Sequence, residues 1–144
     1  MDSQISSTLR TIFLVHMLIS LVLGAGLWLI PGRTLEFIGW VPDMVPLPDS
    51  DLSVPGGTFV DSVVTRLLGA ALLALGYSSF AGWRAERWEQ ISLVVQLEFI
   101  LCALGFVGTL AGFYLLERPV PLIGWVIAVM LAVFTLLWGW ALRR

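Results

Sequence analysis

The chain has 144 residues, of which 58% are hydrophobic and only 12% charged, with a formal net charge of −2. So few charges cannot clothe a soluble domain of this size, and the surplus apolar surface is expected to face lipid. No basic patch with interleaved aromatics is present, which leaves nucleic acid out of the expected partners. The length allows one domain, residues 1–144.

Met1 to Arg10 form a short polar lead, and an apolar run follows over about residues 11–30. A secretory h-region spans only about 7–15 residues, so this run is read as a retained transmembrane helix. His16, Ser20 and Gly24 recur every fourth residue on it and mark the inward face.

Pro31 to Phe59 is the one sizeable loop. Pro31, Pro42, Pro46, Pro48 and Pro55 forbid a continuous helix or a central strand there. Arg33 to Trp40 (RTLEFIGW) is expected to form a short interfacial helix. Asp43, Asp49, Asp51 and Asp61 make the loop acidic, but their spacing matches no EF-hand, so a solvated loop is expected.

The second span covers about residues 60–83, with Ser62, Arg66, Gly69, Ala70, Ala74 and Tyr77 assigned to one face. After a charged turn, GWRAERWEQ, the third span runs over about 91–116. Its row Glu98, Cys102, Gly105, Thr109, Gly112, with offsets of four, three, four and three, also lies on one face. An acid facing lipid is costly, so that face should look into protein. The fourth span, about 121–142, carries Gly124, Ala128, Ala132, Thr135 and Gly139.

Small residues on one face of each span suit helices packing in lipid, where close backbone approach replaces a hydrophobic drive. Short links after spans two and three force antiparallel neighbours. The expected fold is all-α: an up-down-up-down four-helix transmembrane bundle with one Pro-rich extracytoplasmic loop. With both termini cytoplasmic, the inner side holds Arg10, Arg84, Arg87, Arg143 and Arg144, against Arg33 and Arg118 outside. That bias, five against two, is what places both termini of the multi-pass chain in the cytoplasm.

At about 1.5 Å per residue, His16, Tyr77, Glu98 and Thr135 fall at one level, roughly 8–10 Å from the inner boundary. Arg66 lies nearer the outer boundary. It either reaches Glu98 through a water or turns up towards Asp61 or Glu117, and the upward direction is preferred. One His and one Cys on different helices make no pair of metal ligands, and no nucleophile–base grouping can be named. No cofactor, metal or catalytic residue is therefore expected.

The runs LIPGRTLEFIGW, TRLLGAALLALGYSSF and VVQLEFILCALG resemble small bacterial four-span membrane proteins of the DoxX-like type. The resemblance implies a bundle in a bacterial inner membrane and carries over no catalytic residue. Since the chain offers almost no soluble surface, the first expectation is a non-enzymatic accessory or scaffold protein, self-associating or held in a larger membrane complex. The alternative is a protein that binds a lipophilic ligand (lipid or quinone) or couples to protons. That role would use Glu98 with His16, Tyr77, Thr135 and Arg66, because intramembrane ionisable residues are functional candidates. An enzyme acting on a lipophilic substrate comes third.

Overall fold

A computed structural model describes residues 5–115 and 119–143. Glu117, Arg118 and Arg144, which entered the sequence reading, lie outside these. The described chain is helical apart from one small hairpin. Four helices are long and apolar enough to cross a membrane: α1 (Ser7–Leu29), α3 (Ser62–Arg84), α4 (Trp88–Leu115) and α5 (Leu122–Ala141). The short α2 (Pro31–Phe37) follows α1 almost directly.

Each start has a local cause. The Ser6 hydroxyl accepts from the Leu9 amide at 3.3 Å and caps α1. Asp61 caps α3 by accepting from the amides of Val63 and Val64 at 2.9 and 3.0 Å. Pro31 stands in the first turn of α2, where its missing N–H costs nothing. At the head of α4, the Gln90 side chain reaches back to the amides of Glu86 and Arg87.

Prolines exclude a central strand from the loop, but a two-stranded ribbon has only edges. β1 (Met44–Pro46) and β2 (Ser53–Pro55) pair antiparallel with Val45 opposite Val54. A 3-10 turn, Gly56–Phe59, then leads towards α3. Gly56 has to be glycine, because a Cβ there would collide with the Pro42 carbonyl. The expected interfacial helix ends earlier than drawn, at Phe37, and Gly39 turns the chain at φ +72°.

The long helices pack as two pairs, α1 on α3 and α4 on α5. Residue numbers rise along one partner as they fall along the other. Phe13 meets Gly82, Leu21 meets Gly76, and Gly24 meets Gly69. In the second pair Phe99 meets Gly139, Leu131 meets Gly105, and Phe113 meets Gly124. The pairs join at the end where α1 begins, around Leu9, Phe13, Ile91, Val95, Phe134 and Trp138.

At the other end α4 is open. Gly105, Thr109 and Gly112 were expected to continue the buried row above Cys102. They instead line a groove of about 350 Å³ with Trp40, Gly108 and Phe113. A Cβ at Gly108 or Gly112 would meet nothing within 4 Å.

Candidate functional site

Glu98 sits near the middle of α4 and is 1% exposed. An acid in that position needs partners, and three side chains supply them. From the last third of α3, the Ser79 hydroxyl donates to its Oε1 at 3.0 Å, and the Ser78 hydroxyl, 2.9 Å from both Oε1 and the Leu75 carbonyl, divides its one hydrogen between them. From α1, His16 Nδ1 lies 3.2 Å from its Oε2. His16 Nδ1 also lies 2.9 Å from Ser79 Oγ. Ser79 has one hydrogen, which it gives to Glu98, so it accepts from His16. A donor chain therefore runs from imidazole through hydroxyl to carboxylate, drawing on three helices.

Oε2 is within ion-pair distance of Nδ1 but off the line of a hydrogen bond, and it receives none among the described residues. The indole N–H of Trp138 is likewise buried with no acceptor among them. Aromatic rings close the rest of the site. Phe134 sets an edge on the His16 ring with centroids 4.6 Å apart, Trp138 stands nearly perpendicular to it at 5.8 Å, and Phe13 packs on Trp138 at 4.8 Å. Cys102, one turn along α4, is a buried thiol in this wall.

Two of the residues read from the sequence meet here, His16 and Glu98. Tyr77 does not: it is 72% exposed, on the outside of α3. The face assigned to α3 was turned the wrong way round the helix, and Ser62, Arg66, Ala70 and Ala74 are exposed with it. The buried row is Thr65, Gly69, Gly76, Ser79 and Gly82, and it is glycine that permits contact with α1. Thr135 does not reach the cluster either. Its hydroxyl turns back to the Leu131 carbonyl at 2.8 Å, which satisfies it within α5, while Phe134 and Trp138 take the inward positions.

Arg66 is exposed near the head of α3 and lines a cleft under the loop. Glu98 spends its contacts on His16, Ser78 and Ser79, so the direct Arg66–Glu98 bridge is not formed. Nor is the upward pair with Asp61, whose carboxylate caps α3. Ser78 and Ser79 were missed, although two adjacent hydroxyls in an apolar span are themselves a signal. Among the described residues no three His, Cys, Asp or Glu side chains gather as a metal-binding group.

Set against known proteins, the chain matches no family, no curated protein and no solved structure.

Proposed function

We propose that the protein is a multi-pass membrane protein whose working part is the Glu98–Ser79–His16 chain, a proton-holding group between the two helix pairs. The observation that carries this is the 3.2 Å contact between Nδ1 and an Oε2 that has no hydrogen bond of its own. One proton shared by an imidazole and a carboxylate keeps the group net neutral, the least costly state in an apolar interior. The hydroxyl between them suits transfer, since a proton leaving Nδ1 can pass to Ser79 Oγ as Ser79 gives its own hydrogen to Glu98 Oε1. We place the helices up-down-up-down across the plasma (inner) membrane, as the family resemblance implies, with the hairpin outside and both termini in the cytoplasm on the arginine bias.

Glu98→Gln keeps the shape and removes the exchangeable proton. Infrared spectra recorded at stepped pH should contain a carboxyl band that this variant lacks, with its thermal stability in detergent near wild type. Identical wild-type and variant spectra would remove the proton from the role of Glu98.

A second reading, the accessory or scaffold protein, has its own support in the open glycine face of Gly108 and Gly112. Native mass spectrometry of gently solubilised protein separates the two, since a partner subunit or second copy favours the scaffold and bound lipid or quinone favours a ligand role. Orientation is tested by single cysteines in a Cys102→Ala background. A cysteine at Ser50 should react with an impermeant thiol reagent from outside the cell, and one at Glu86 should not. The opposite pattern would invert the orientation.

A further inference from the structure

We propose that the cleft over Arg66 binds the phosphate of a membrane lipid at the loop-side surface. The cleft has a volume of about 370 Å³ and lies between the end of α1, α2, the 3-10 turn and the head of α3. Arg33, Glu36, Gly57, Thr58 and Arg66 supply its polar walls. That volume is at the small end for ligand pockets, about 300–1,000 Å³, and suits a headgroup rather than a whole lipid.

The charges decide the sign of the occupant. Glu36 is the one acid among the described residues that line the cleft, and both its oxygens are engaged. Oε1 accepts from the Gly57 amide at 2.9 Å, and Oε2 accepts from Arg33 Nη1 at 3.1 Å. Arg33 and Glu36 thus cancel, and Arg66 leaves the cleft with one net positive charge. No carboxylate among the described residues pairs with Arg66. The guanidinium fork matches phosphate oxygens two at a time, and Thr58 adds a hydroxyl.

The surroundings choose the source. Val63, Val64, Leu67 and Leu68, on either side of Arg66, are 53–67% exposed. A lone cation in such a skirt belongs where hydrocarbon gives way to headgroups, with its stem in one and its tip in the other. A lipid brings a phosphate to that level with its chains along the apolar skirt, which a soluble phosphate does not. The inference rests on the four helices crossing a membrane and is independent of the role of Glu98.

The test is native mass spectrometry of detergent-solubilised protein titrated with phosphatidylglycerol. Arg66→Gln should lower the occupancy of the first lipid adduct about tenfold, the loss expected for one charge-assisted contact. Arg66→Lys should restore part of it. Arg33→Gln should also lower it, by releasing the Glu36 carboxylate into the cleft. Arg84→Gln, at the far end of α3, should leave it unchanged. Equal adducts in wild type, Arg66→Gln and Arg33→Gln would overturn the site. Glycerol 3-phosphate matching the lipid in a competition titration would overturn the lipid as its source. Thermal melts of each variant in the same detergent report folding, and Arg33, being on the surface, keeps the test decisive if Arg66→Gln does not fold.

Discussion

His16→Leu should destabilise the protein by about 1–3 kcal/mol, the usual cost of leaving a buried polar group without its partner. Leucine fills much of the imidazole space, so packing against Phe134 and Trp138 is largely kept. What is lost is the group 3.2 Å from Oε2, which leaves that oxygen without a polar neighbour while the serine hydroxyls still face Oε1. Ser79→Ala removes the hydroxyl between His16 and Glu98, and side-chain hydrogen bonds within membranes average only about 0.6 kcal/mol each. The histidine change should therefore outweigh the serine change, although both residues touch the same carboxyl group. Combining His16→Leu with Glu98→Leu should return a large part of the loss, because no buried polar group is then left without its partner. Reversible unfolding in mixed micelles gives all four corners of the cycle. Strictly additive single effects would mean that the two side chains do not act as a pair.

The second large effect concerns two glycine sites that respond with opposite sign. A Cβ at Gly69 would stand 2.6 Å from the Trp28 amide nitrogen and 2.9 Å from the Gly24 carbonyl oxygen. Both are backbone atoms, so no side chain can turn aside and the helices themselves must part. Gly69→Ala should cost about 1–3 kcal/mol, the range for overpacking. Gly108→Ala meets nothing within 4 Å and should gain up to about 1 kcal/mol of helix propensity. Thermal unfolding of the two variants in one detergent is the check. Stabilisation by Gly69→Ala would mean that α1 and α3 are not in backbone contact there.

The four spans were legible because each is a long apolar run bounded by charge or proline, which bilayer thickness alone reads. The predicted 11–30 and 60–83 became Ser7–Leu29 and Ser62–Arg84. His16 and Glu98 were legible as a pair because rise per residue fixes depth, and both were expected at one level. Azimuth was harder. At about 100° per residue, Tyr77 and Ser79 lie about 80° to either side of Gly69, mirror images on the wheel. Which side meets α4 depends on where the third helix packs, and nothing local to α3 states that. The larger polar side chain drew the assignment to the wrong side. The row on α4 held at Glu98 and Cys102 and failed beyond them for a related reason. Small residues permit contact without compelling it, so Gly105 and Gly112 look alike whether covered or bare. The hairpin escaped notice because its strands are only three residues each, too short for alternation to register.

That hairpin cannot seed a larger assembly of strands. The Leu47 amide bonds the Leu52 carbonyl, and the Gly56 amide bonds the Asp43 carbonyl. Alternation along the ladder then makes Val45 and Val54 an inward-bonding pair and turns the amide positions of residues 44, 46, 53 and 55 outward. Residues 46 and 55 are prolines, one on each strand. Each outer rim therefore lacks half of its donors, and an incoming strand finds too few bonds to take hold. The ribbon is built to stay a pair of strands.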